Sequence, residues 1–273
     1  NSFENIDELV KDVHKFAGYF SCIRFGKEED PELRDAFDSL AELDFNVTLP
    51  FLLTAYDDYQ NSLDNPNINL TRDEFIKIIK YVESYCLRRS ICDIPTNSMN
   101  KTFARLSKEI NKQEYYNYFV AAMFEKDTYK RFPTNEEVQE KLLNQNMYSK
   151  RKILNHVLIA IENTEGKEFV STENSTIEHI MPQNLTKEWE RELGSNYEGI
   201  HSIYLHTLGN LTLTPYNSEL GDKSFFDKKT CDNGFCKSKL TLNEGLCELD
   251  KWTEKEITDR TKQLSKKIIN IAD

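Results

Sequence analysis

Four side chains between positions 178 and 217 form the core of the stretch that could do chemistry. They are the adjacent Glu178 and His179, Asn210 in the run LGNLTLT, and Asn217 in YNSELGDK. Histidine suits proton abstraction because its unperturbed pKa lies near the working pH. Oxygen donors from a carboxylate and an amide suit Mg2+ or Mn2+, with waters completing the shell, and match zinc poorly. Alternation along a strand sends Glu178 and His179 to opposite faces. The pair could therefore divide metal and base duties only where the strand ends and twists. Read structurally, Glu178 is a solvated charge and Asn210 and Asn217 only cap turns, as asparagine does routinely.

The ordered pattern is more specific than any of its members. E-H-I-x-P-Q, then G-N-L-T-L-T about 30 residues on, then N-x-x-L-x-x-K-S-F, resembles the His-Me finger (HNH) endonucleases. More closely it resembles the C-terminal nuclease domain of GmrSD-type modification-dependent restriction proteins. A second stretch, LRRSICDIPTNSMNKTFARL, resembles the helical middle region of the same family. The resemblance implies His179 as general base, Glu178 and Asn217 as metal ligands, and Asn210 as the brace of the finger loop that helps orient His179. Lys223 would lie beside the scissile phosphate or its neighbour, and Pro182 and Gly209 would punctuate the loops. Mg2+ or Mn2+ is the implied cofactor and modified phage DNA the implied substrate. A nucleotide-dependent sensing domain would lie N-terminal to this chain, which opens on Asn1 and contains no Gly-rich phosphate loop. No Cys-x-x-Cys zinc knuckle flanks the finger, so packing must hold it.

The elements that position these residues are mostly helical by pattern. With 38% hydrophobic and 30% charged residues, 9 Gly and 7 Pro, the chain reads as a helical globular protein of one or two domains. No apolar run approaches membrane-spanning length and no signal peptide opens the chain, so the cytoplasm is the default. The net charge of −11 is carried by residues 1–76, which hold 17 acidic and 6 basic side chains. Between Lys77 and Lys112 eight basic residues face three acidic ones. That run reads as a DNA-backbone patch or as a solvated helix face. Within it Arg88 and Arg89 read equally as phosphate contacts or as a salt-bridged pair tying helices. Lys223, Lys228 and Lys229 are the candidate DNA contacts of the finger region. The six cysteines read most simply as free thiols. His14, His156, His201 and His206 read as structural, His206 least firmly because it lies four residues before Asn210.

Helix starts are legible at Asp30-Pro31 and at three capping boxes, Thr71/Glu74, Thr134/Glu137 and Thr253/Glu256. Ile6, Leu9, Val10, Val13, Phe16 and Phe20 recur at helical spacing. Residues 168–170 and 176–180 read as strands, and Leu211 and Leu213 alternate with threonines in another. Phe225 and Phe226 read as core. The expected fold is mainly α (α+β): a helical domain over 1–165, then a ββα-metal nuclease domain over 166–273 wrapped by helices. The expected activity is metal-dependent endonuclease cleavage of DNA in anti-phage defence. An inactive nucleic-acid-binding or autoinhibitory module with the same fold is the alternative, and a protein-interaction scaffold in the acidic helical half is a third. The oligomeric state stays open, a homo-oligomer included.

Overall fold

A computed structural model describes residues 6–124, 130–165, 172 and 174–272. The chain divides into two compact units, Asn1–Pro133 and Thr134–Ile271. It is mainly helical, as expected, with one two-stranded sheet among the described residues. No helix among them is long and apolar enough to cross a membrane.

The first unit contains α1 (Ile6–Phe25), α2 (Pro31–Glu42), α3 (Leu49–Ser62), α4 (Arg72–Ile91), α5 (Asn97–Glu109) and α6 (Tyr115–Phe124). Their starts follow the local chemistry. Asp30 accepts from the N–H groups of Glu32 and Leu33 ahead of Pro31, and Thr71 with Glu74 closes a reciprocal capping box. Aromatic packing fills the core, with Phe51 stacked on Phe119 at 5.5 Å and on Phe103 at 6.1 Å. The apolar stripe of α1 is helical as expected, but its first half is not buried. Ile6 is 78% exposed and Val13 61%, and burial begins only at Ile23.

The basic run on α4 is not a solvent-facing patch at Arg88 and Arg89, which are both buried. The end of α4 is enclosed by apolar neighbours at Tyr85, Cys86, Leu87 and Ile91, so the guanidinium groups cannot reach water. Arg88 donates to the Pro133 carbonyl at 3.3 Å and to Ser84, and Arg89 donates to the Pro95 carbonyl at 2.7 Å. These bonds meet the requirement that a buried charge find polar partners. Of the two readings of this pair, DNA contact or helix tie, the buried arginines follow the second, through bonds to carbonyls and serine hydroxyls.

The second unit runs through α7 (Asn135–Asn144), α8 (Arg151–Glu165), β1 (Thr176–His179), α9 (Lys187–Leu193), α10 (Tyr197–Tyr204), β2 (Leu211–Thr214), α11 (Asn217–Leu220), α12 (Phe225–Thr230) and α13 (Glu254–Ala272). The Thr134/Glu137 box opens α7, and Thr253 with Glu256 opens α13. The strand expected at 168–170 lies outside the described residues. The units part at 133/134, upstream of the division expected at 165/166, because α8 is bound into the second unit. The buried Glu162 carboxylate accepts from the N–H and hydroxyl of Thr241, both at 2.9 Å, and from the N–H of Leu242 at 3.0 Å. Two cysteines expected as thiols, Cys236 and Cys247, form a disulfide with Cα atoms 5.2 Å apart. The helical turns at Phe235–Lys237 and Thr241–Leu246 bring them together. Phe225 is buried as expected, whereas its neighbour Phe226 faces solvent.

Candidate active site

β1 and β2 pair antiparallel, with Glu178 opposite Thr212 and His179 opposite Leu211. Both residues are paired, His179 at the last position of the ladder, and strand alternation sends their side chains to opposite faces. The Glu178 face is closed. Its carboxylate lies 2.6 Å from Lys228 Nζ, which also donates to the His179 carbonyl at 2.7 Å. Burial pushes the Glu178 carboxyl up and the Lys228 ammonium down, each opposed by the other's charge. Lys228 was expected to meet DNA. It lies three residues after the buried Phe225 on α12, which turns it to the same inward face, and no part of it is exposed.

On the other face His179 is buried too, beside the partly exposed Tyr148 and His206. Its Nε2 lies 3.1 Å from Nδ1 of His206, and the two rings meet edge to face at 5.2 Å. Tyr148 packs edge-on against His179 at 4.5 Å and face to face with His206 at 5.2 Å. Burial holds the His179 pKa down at about 3, with His206, Lys228, His201 and Arg151 adding like charge. Burial also lowers His206, with His201 adding to the effect. Both shifts disfavour the imidazolium form, and the Nε2–Nδ1 separation fits a hydrogen bond between the two rings. His206 and His201, read from sequence as structural, both belong to this neighbourhood. His201 Nε2 donates to the Pro182 carbonyl at 3.0 Å. The closeness of His206 to Asn210 in the chain was the available signal.

Asn210 holds the loop that follows His179. Its Oδ1 accepts from the Met181 N–H at 2.7 Å and from Trp252 Nε1 at 2.9 Å, and its Nδ2 donates to the Met181 and Leu205 carbonyls at 2.9 Å each. Its own carbonyl accepts from the Ile180 N–H. α13 supports the same loop. Arg260 donates to the carbonyls of Gly209 and Leu211, both at 2.8 Å, and the Gly209 N–H donates to Thr261 Oγ1 at 3.1 Å. A Cβ at Gly209 would run into the Ile257 carbonyl and the Thr261 hydroxyl. Close helix approach, rather than an unusual backbone angle, is why glycine stands there.

Asn217 opens α11, and its amide donates to the Ile177 carbonyl at 2.7 Å. This bond staples the short helix to β1. Lys223 is exposed on the loop between α11 and α12, where its carbonyl accepts from Trp189 Nε1 at 2.9 Å. Lys229 donates to the Leu249 carbonyl at 2.7 Å. Among the described residues no group of three or more His, Cys, Asp or Glu side chains could hold a metal ion. Glu178 is engaged by the Lys228 ammonium, and Asn217 donates its amide to the Ile177 carbonyl.

Residues 132–267 match a family of restriction endonucleases. The family is described as GmrSD restriction endonucleases, C-terminal domain, and this stretch of the chain is a GmrSD-type C-terminal region. The match begins within two residues of Thr134, where the second compact unit starts. It contains every element of the histidine site. No curated protein matches the chain.

Proposed function

We propose that the second unit is a DNA endonuclease of the His-Me finger type, with His179 as its general base. The family supports a restriction-endonuclease role. The single observation behind the assignment of the base is the contact between His179 Nε2 and His206 Nδ1. When Nε2 carries the proton and donates it to His206, Nδ1 of His179 keeps its lone pair for a proton from water. The imidazolium formed as water attacks phosphorus keeps its Nε2 within hydrogen-bond distance of His206 Nδ1. Asn210 fixes the backbone on both sides of Ile180, so the ring is presented without reorganisation at the moment of reaction. Lys223, exposed beside α11, is the candidate second contact to the strand. The family resemblance would make modified DNA the natural substrate.

The test is nicking of supercoiled plasmid, unmodified and modified, with Mg2+ or Mn2+, by the parent chain and by His179→Ala. The expected outcome is loss of nicking by about 100-fold or more in the variant, the usual range for removing a general base. Addition of chelator tests the cation expected from the sequence. Equal nicking by both proteins would remove His179 from the chemistry. Binding without nicking on every substrate would favour the inactive-module reading.

A further inference from the structure

The turn Tyr148–Lys150 precedes α8 and leans on the histidine pair. The Met147 N–H donates to the His206 carbonyl at 2.9 Å, fixing the turn against the loop that carries His206. Tyr148 then lies nearly parallel to His206, at an interplanar angle of 7°, and edge-on to His179. Arg151, the first residue of α8, covers the Tyr148 ring with its guanidinium 4.4 Å from the centroid and donates to the tyrosine hydroxyl at 2.8 Å. The chain is thus stacked in the order His206, Tyr148, Arg151, with His179 at the edge.

Arg151 differs from the other arginines that this fold positions. Arg88, Arg89 and Arg260 are buried and donate to carbonyls. Arg151 is exposed, and among the described residues it pairs with no carboxylate. Its hydrogen bond to Tyr148 engages one nitrogen and leaves the rest of the planar fork available. A guanidinium fork matches the oxygens of a phosphate bidentately, and a ring beneath it limits the orientations that it samples. Its charge reaches His179, where it is one of the groups that disfavour protonation.

The geometry points to Arg151 as the phosphate-binding arm of this site, taking a phosphodiester of a DNA strand beside His179, with Tyr148 as its strut. This assignment rests on the reading of His179 as the base of a nuclease. It also explains why a tyrosine stands between an arginine and two histidines. The ring keeps the cation in place without a carboxylate, which would compete with phosphate for the same fork.

The experiment measures anisotropy of a fluorescein-labelled DNA duplex across a salt series, in chelator, with the parent, Arg151→Gln, Arg151→Lys and Tyr148→Phe. Arg151→Gln is expected to weaken binding about tenfold and to flatten the log–log salt slope by about one unit, the signature of one lost phosphate contact. Arg151→Lys keeps the slope, and Tyr148→Phe, which removes only the strut hydrogen bond, falls between. Circular dichroism melts of each variant confirm folding. The assignment is overturned if Arg151→Gln binds with the parent's affinity and slope, or if the parent does not bind the duplex. Plasmid nicking separates the two readings. Parent-like nicking by Arg151→Gln, with loss in His179→Ala, ends the phosphate arm and keeps the nuclease. Undiminished nicking by His179→Ala, with weakened binding by Arg151→Gln, keeps the arm and ends the role of His179.

Discussion

The two faces of β1 place a charged residue and a histidine one position apart in opposite surroundings. Behind Glu178 the charges are paired and sealed, with Lys228 spanning the carboxylate and the His179 carbonyl. Behind His179 the partners are neutral or aromatic, and the stack ends in an exposed guanidinium. The difference separates a buried ion pair from a buried pair of imidazoles on the two sides of one strand. Glu178 behaves as a buried strut, whose partner grips the strand carrying the histidine. His179 is buried as well, but against a second imidazole and an aromatic ring rather than an opposite charge.

The sealed face is the place where the largest loss is expected. Lys228→Met strands the Glu178 carboxylate without its cation, and breaking a buried pair in this way costs about 3–5 kcal/mol. The chain's two tryptophans, Trp189 and Trp252, both lie in the second unit, so their fluorescence during urea unfolding reports that unit alone. The double variant Glu178→Met with Lys228→Met should recover most of the loss. If the single variant unfolds at the parent's urea midpoint, the pair is not the strut described.

Asn210→Ala ranks next. It strands the Met181 N–H and Trp252 Nε1 as buried donors, with a penalty of about 3 kcal/mol when the separate losses are combined. Nicking should fall together with stability, since the loop after His179 loses its brace. A variant with the parent's melting temperature and reduced nicking would instead give Asn210 a direct part in the chemistry.

The histidine face gives an effect that depends on pH. The fold holds His179 near pKa 3 against an ordinary value of 6.5, so between these values the unfolded chain binds the proton and the folded one does not. Stability attributable to His179 is present above pH 6.5 and is lost as pH falls towards 3, with a slope of at most about 1.4 kcal/mol per pH unit. His179→Gln should flatten that part of the acid-unfolding profile. An unchanged profile would mean that the niche tolerates the imidazolium, and that the contrast between the two faces is weaker than the geometry implies.

Local chemistry was readable directly from the chain. Asp30-Pro31 and the Thr/Glu boxes at 71, 134 and 253 start helices because a side chain needs to reach only the N–H groups two or three positions on. Asn210 was legible as a brace from the family pattern, and the short strands around His179 from alternation. Burial was less legible. The stripe of α1 is helical yet half exposed, and the arginine pair of α4 has the composition of a DNA patch and the surroundings of a core. Lys228 and Lys229 look alike in sequence. The turn of α12 sends the first into a buried ion pair with Glu178, and the second out to the Leu249 carbonyl.

The partners of the site came only from the tertiary structure. His179 meets His206 across 27 residues of chain, and Glu178 meets Lys228 across 50. Tyr148 and Arg151 arrive from the turn before α8 and from the first residue of that helix. Residue types and short spacings specify which side chains can donate, accept or ionise, and where helices begin. Whether a charge is paired, desolvated or left facing water depends on what the fold brings alongside it, because desolvation and hydrogen bonding act at contact distance in space.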